Sequence, residues 1–145
     1  MEKLLISACL LGRCCKYDGG NNALPEESLS RLRDRYQLVP VCPEADGGLP
    51  TPRVPSECRD GRVFSLTGED LTAAFRKGAE IALSLAREHD CRKALLKERS
   101  PSCGPDRIYD GSFQGRLIPG DGVAARLLRA DGLLLFGESQ ISSLL

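Results

Sequence analysis

The chain has 145 residues, with 20 basic and 20 acidic side chains, no net charge, 5% aromatic residues and no tryptophan. That balance excludes a general binder of nucleic acid or anionic membrane, and the scarcity of aromatics excludes a stacking platform for single strands. The length suits one domain, residues 1–145, burying roughly two-thirds of its unfolded surface.

Lys3-Leu4-Leu5-Ile6-Ser7-Ala8 is a short apolar run ending at Cys9 and predicts a buried parallel strand. It superficially resembles a lipoprotein cleavage site, but the apolar stretch is far shorter than a signal peptide requires, so a cytoplasmic protein is expected. Pro25-Glu26-Glu27 opens a helix that should run to about Arg35, since proline suits the first position and acids suit the positive helix end. Gln37–Val41 is a second strand, ending at Cys42. Pro43 to Leu66, rich in proline and glycine, reads as a long irregular loop without a helix. Thr67, followed by Asp70, reads as the cap of a helix lasting to about His89, with Leu71, Phe75, Ala79, Ala82 and Ala86 at helical spacing. Lys93–Lys97 is a third strand, and Ser100–Pro105 a rigid loop. Ile108–Phe113 reads as a hairpin with a tight Asp110-Gly111 turn. A helix over Gly122–Ala130 leads into a last strand, Gly132–Phe136. The alternation predicts an α/β three-layer sandwich: a mainly parallel, Rossmann-like sheet of four to five strands, with order 2-1-3-4, and a small hairpin.

Seven cysteines is a high and odd number, and no two are spaced C-x-x-C. Without a signal peptide, metal binding or redox chemistry is a better reading than disulfides. Cys9 closes the first strand, Cys42 the second, and Cys103 lies just beyond the third. In a parallel sheet these strand ends share one edge, where ligands bind. A single cysteine there would read as a small buried hydrophobe; three favour a shared ligand role with one metal position left open. Cys58 and Cys91 read as packing residues. Cys14 and Cys15 stay open, with Cys15 a reserve ligand. Glu44, two residues past Cys42, and Ser100, three before Cys103, suit general acid–base work, the alternatives being a surface acid and a loop cap. Two loops on the same edge, Lys16-Tyr17-Asp18-Gly19-Gly20 and Gly47-Gly48 through Arg53, are candidates for contacting a phosphate or pyrimidine, or are ordinary turns. His89 reads as completing a helix end.

Ser7-Ala8-Cys9-Leu10-Leu11-Gly12, Cys15-Lys16-Tyr17-Asp18-Gly19, Pro40-Val41-Cys42-Pro43-Glu44, Pro52-Arg53 and Ser100-Pro101-Ser102-Cys103-Gly104 together resemble the thiouracil desulfidase family of bacteria, and the likeness covers nearly the whole chain. The resemblance implies a 4Fe-4S cluster with three protein ligands, matching Cys9, Cys42 and Cys103, and one open iron. It further implies catalytic roles matching Glu44 and Ser100, and a small thiolated pyrimidine or its nucleotide as substrate: 2- or 4-thiouracil, or 4-thiouridine monophosphate. No membrane and no stable nucleic-acid partner are expected. A structural zinc or iron–sulfur module without catalysis is the competing reading, ahead of a thiol–disulfide protein or a sulfur carrier. Cys14, beside Cys15, has no place in the pattern.

Overall fold

The structure is a computed structural model and describes residues 1–145. In chain order its elements are β1 (Glu2–Ser7), α1 (Glu26–Arg35), β2 (Tyr36–Val41), the one-turn α2 (Pro43–Asp46), β3 (Ser56–Arg59), β4 (Arg62–Ser65), α3 (Thr72–Glu88), β5 (Lys93–Leu96), β6 (Arg107–Tyr109), β7 (Leu117–Pro119), α4 (Val123–Ala130) and β8 (Leu134–Gly137). Short 3-10 segments follow β1 (Ala8–Leu11) and β8 (Glu138–Leu144).

Four parallel strands form the central sheet in the order β2-β1-β5-β8, which is the order expected for the four apolar runs. Leu4, Leu5 and Ile6 of β1 are all fully buried, because a central parallel strand is covered on both faces. Alternation sends Leu5 toward a cluster with Ala79, Ala82 and Ala86 of α3 and Ala124, Ala125 and Leu128 of α4. It sends Leu4 and Ile6 to the other face, against Leu32 of α1, Tyr36 and Leu144. Each buried leucine or isoleucine contributes about 1.5–3 kcal/mol relative to exposure. Three layers result, and no helix is long and apolar enough to cross a membrane.

Three local expectations are corrected. The segment from Pro43 to Leu66 carries the single turn α2 and the antiparallel pair β3–β4. One turn is too short to show periodicity, and the β3–β4 turn is made by Asp60-Gly61, both at positive φ (52° and 77°), an Asp-Gly hairpin signal inside an otherwise loop-like stretch. The expected Asp110-Gly111 pair makes no tight turn: β6 and β7 are joined by residues 110–116, with Glu57 Oε1 accepting the N–H groups of Gly111 (3.0 Å) and Phe113 (3.0 Å). Finally, α3 starts at Thr72, four residues later than the Thr67 cap implies. Leu71 N–H donates to Val63 O (2.8 Å) and Ser65 N–H to Glu69 O (2.8 Å), so residues 69–71 pair with β4 instead, and Asp70 Oδ1 receives the Thr72 N–H (3.0 Å) and hydroxyl (2.6 Å).

Candidate active site

The chain leaves β1 toward β2 on one side and later returns to β5 on the other, so the carboxyl ends of β1 and β5 flank the switch point of the sheet. Register sets the strand ends level, with Ser7 opposite Val41 and Ile6 opposite Leu95. Cys9 then falls in the 3-10 segment after β1, Cys42 directly after β2 at the head of α2, and Cys103 in the loop after β5. The structure brings all three together. Burial pushes the Cys9 thiol up, a hydrogen bond with Asn22 opposes this, and neighbouring Cys42 raises it further. Burial drives Cys103 far above the usual thiol range, against a hydrogen bond with Ser7 and with Cys9 adding to the rise. Cys15 joins them: it is buried, its carbonyl accepts the Cys42 thiol (3.8 Å), and its own thiol is pushed up to about 12, by burial first and then by neighbouring Cys42 and Cys9. Cys9 therefore has three thiols as neighbours, those of Cys15, Cys42 and Cys103. They do not close on a single ion's coordination shell, and no trio of His, Cys, Asp or Glu does.

The other cysteines stand apart. Cys14 is exposed, with its sulfur 3.7 Å from Asn21 Nδ2. Cys58 bonds Pro101 O (3.4 Å), its thiol pushed up to about 11 by burial. Cys91 is buried next to β5, at the opposite end of the sheet. Two cavities, about 690 Å³ beside Cys91 and about 330 Å³ beside Cys58, do not include the Cys9–Cys42–Cys103 edge. Chemistry, not void, marks this edge as the site.

Glu44, on α2, is held from two sides. Arg53 donates Nε (3.2 Å) and Nη2 (3.1 Å) to its Oε1, and the Ser102 hydroxyl donates to its Oε2 (2.8 Å). Both side chains of the ion pair are enclosed, at 7% and 14% exposure. Arg53 spends its remaining donors on Cys15 O (3.0 Å), Pro50 O (3.2 Å) and Thr51 Oγ1 (3.1 Å). It therefore ties Glu44 to the cysteine loop. Ser100 is half-buried, and its oxygen accepts the N–H groups of Ser102 (3.2 Å) and Cys103 (3.0 Å), shaping the turn that presents Cys103.

That loop is fastened to α4. Gly122, Val123 and Ala124 donate their N–H groups to the carbonyls of Gly104 (2.8 Å), Pro101 (2.9 Å) and Ser102 (2.9 Å), so the helix start satisfies the loop's backbone. A side chain at Gly122 would meet the Ser102 carbonyl at 2.6 Å, which is why glycine stands there.

The two rim loops lie beside this centre. Lys16 pairs with Asp18 (3.6 Å), Tyr17 is 42% exposed, and Tyr17 O accepts the Arg53 N–H (2.7 Å). Gly47 and Gly48 end α2 and donate their amides to Pro43 O (2.9 Å) and Ala45 O (3.1 Å), so those hydrogens are used within the turn. Sequence reasoning missed Ser7, Asn22 and Ser102, as well as the Lys97–Glu138 ion pair (2.7 Å), both of whose charges act on Cys9. A signal existed for Ser7, the one polar residue closing an apolar strand; its hydroxyl accepts the Lys97 N–H (3.0 Å).

Residues 4–140 match the model of the 2-thiouracil desulfurase family. Among curated relatives, the uncharacterized protein YbbK of Bacillus subtilis (strain 168) is 37% identical over 152 residues, covering 98% of this chain and 99% of YbbK. Among solved structures, one described as the 4Fe-4S-dependent thiouracil desulfidase TudS superposes with a TM-score of 0.94 at 44% identity, covering 99% of this chain and 95% of that one.

Proposed function

The chain belongs to the 2-thiouracil desulfurase family, and from that premise we propose that it hydrolyses the carbon–sulfur bond of thiolated pyrimidines, giving the oxo form and sulfide. It is an enzyme of the 4Fe-4S-dependent thiouracil desulfidase type. The donor set fits such a group: the side chains gathered around Cys9 are thiols, the soft donors that iron–sulfur clusters take. Cys9, Cys42 and Cys103 are the ligands in this reading, with one iron left free for substrate. When bound, the cluster supplies a Lewis-acidic iron that prefers a thione sulfur to a carbonyl oxygen.

The chain's own groups do the rest. Glu44 takes a proton from the attacking water and returns it as sulfur departs; Arg53 fixes the carboxylate's orientation for that exchange. Ser100 orients the water by accepting its hydrogen on the lone pair shared with the longer amide contact from Ser102 (3.2 Å). Tyr17 offers an exposed aromatic face to a pyrimidine, with Lys16 and Asp18 beside it, and the Gly47-Gly48 turn with Arg53 forms the opposite rim. The substrates proposed are 2-thiouracil, 4-thiouracil and 4-thiouridine monophosphate, the last using Lys16 for its phosphate. No electron transfer is needed. A reducing, cytoplasmic setting suits these thiols.

What carries this reading is the convergence of Cys9, Cys42 and Cys103 on one sheet edge with the Glu44 carboxylate clamped beside them. The test is anaerobic reconstitution with iron and sulfide, followed by addition of 2-thiouracil or 4-thiouridine monophosphate. Expected are broad absorbance near about 400 nm, loss of the substrate thione band, and loss of both on replacing Cys9, Cys42 or Cys103 by serine. Cluster assembly without turnover would overturn the substrate assignment. Tight zinc binding with no iron uptake would overturn the site.

A further inference from the structure

Hydrogen counting around Ser102 gives a direction to the contacts described above. A serine hydroxyl carries one hydrogen to donate and two lone pairs with which to accept. Ser102 is 1% exposed, and its oxygen lies 2.8 Å from Glu44 Oε2, 3.1 Å from Ser100 Oγ and 3.8 Å from Cys103 Sγ. Its single hydrogen goes to the carboxylate, the nearest and strongest acceptor. The contact between the two serines must then be made by the hydrogen of Ser100. The Ser100 oxygen already accepts two amide hydrogens, so its own hydrogen is its one free polar element, and it points at Ser102. The chain runs in one sense: Ser100 to Ser102 to Glu44, with Arg53 pinning the far carboxylate oxygen. Its outer end is half-buried, its middle is sealed, and its inner end is enclosed.

We propose that Ser102 is a positioning residue that relays a proton from Ser100 to Glu44, making the two one acid–base unit. This rests on the desulfidase reading given above. In the forward step the water's oxygen forms the new bond to the pyrimidine carbon while its proton passes to Ser100 Oγ, sharing the lone pair of the longer amide contact. The Ser100 hydrogen moves to Ser102 Oγ and the Ser102 hydrogen to Glu44 Oε2. Three O–H bonds break, three form, and the carboxylate becomes a carboxylic acid. As the carbon–sulfur bond breaks, its electron pair leaves with sulfur, the relayed proton returns along the same path so that sulfur departs as hydrosulfide, and the remaining hydroxyl proton of the adduct passes to solvent as the carbonyl forms. No oxidant or reductant takes part.

The experiment compares wild type, Ser102→Ala, Ser102→Thr, Glu44→Gln and the Ser102→Ala/Glu44→Gln pair, each loaded anaerobically, with 2-thiouracil as probe. Iron per chain, kcat and KM are measured separately, along with the rate as a function of deuterium fraction. Ser102→Ala should keep its iron and hold KM within about twofold, while kcat falls by about 10²–10³-fold. Its dependence on deuterium fraction should change from curved, several protons moving, to linear. Ser102→Thr should restore kcat to within about tenfold, and the double variant should be no slower than Glu44→Gln alone. In the metal-free protein, Ser102→Ala should also shift a carboxylate stretching band in the infrared spectrum that Glu44→Gln removes. Full kcat in Ser102→Ala, or equal loss of iron in the Ala and Thr variants, overturns the relay. An unshifted carboxylate band overturns the hydrogen bond beneath it. Iron-loaded wild type without turnover is the separate signature of a failed desulfidase reading.

Discussion

At the scale of single residues, the site depends on side chains whose charges are matched within it. Arg53 is the clearest case, since a planar fork gives Glu44 two parallel donors that a lysine cannot reproduce. Arg53→Lys should keep the cluster's absorbance yet lose about 10–100-fold in kcat, because a carboxylate displaced by a fraction of an ångström is a poor partner for a proton. Steady-state kinetics beside an iron assay decide this; unchanged kcat would show that the fork is dispensable. The placement of Cys9, Cys42 and Cys103 at one sheet edge, with Glu44 and Ser100 beside them, was legible in the sequence because strand ends in a parallel sheet are predictable places. Ser102 and the role of Arg53 were not. Their meaning lies in contacts across long loops, Ser102 with Glu44 over 58 residues, which no local pattern encodes.

At the scale of elements, α2 is positioned by a missing side chain on another helix. A methyl group at Gly78 of α3 would fall on the Pro43 carbonyl, and one at Gly47 would meet Ala74 O at 2.5 Å. The two glycines let α2 lie directly on α3, and α2 carries Glu44 and follows Cys42. Gly78→Ala adds a good helix former, worth up to about 1 kcal/mol in isolation. Here overpacking should win, with a net loss of about 1–3 kcal/mol. Thermal unfolding should show a lower midpoint, and cluster retention should fall with it; a stabilised Gly78→Ala would mean that α2 yields freely. The sheet and its order were readable from four apolar runs. The single turn α2 and the Asp60-Gly61 hairpin were hidden by their shortness and by the prolines around them. The start of α3 was misplaced because residues 69–71 trade helical bonds for pairing with β4, a tertiary choice.

At the scale of the whole molecule, zero net charge conceals a set of carboxylates held below their usual range. Arg62 does this for Asp70 and Arg87 for Asp131. In Asp121, burial pulls upward, but Arg129 and the Asp106 N–H (2.8 Å) outweigh it. These groups take up protons at higher pH in the unfolded chain than in the folded one. The stability they supply is full above the unfolded value, near pH 4, and is lost as pH falls through the lower folded values. Asp121 clamps Asp106 and Arg129 together beyond the Cys103 loop. Asp121→Asn should lower the melting midpoint by a few degrees, roughly 2–5 °C, at pH 7, and the gap should narrow toward pH 3. A gap that is constant with pH would remove the charge from the explanation. The placement of the thiols has one further consequence, for the order of events in making the protein. Cys9 and Cys103 stand 94 positions apart, and the loop bearing Cys103 is tied down only once α4 exists. An emerging chain therefore lacks its complete set of donors until nearly all of it has left the ribosome. With Cys9 and Cys103 read as ligands, cluster loading is expected to follow synthesis of α4 rather than to guide the early part of the chain.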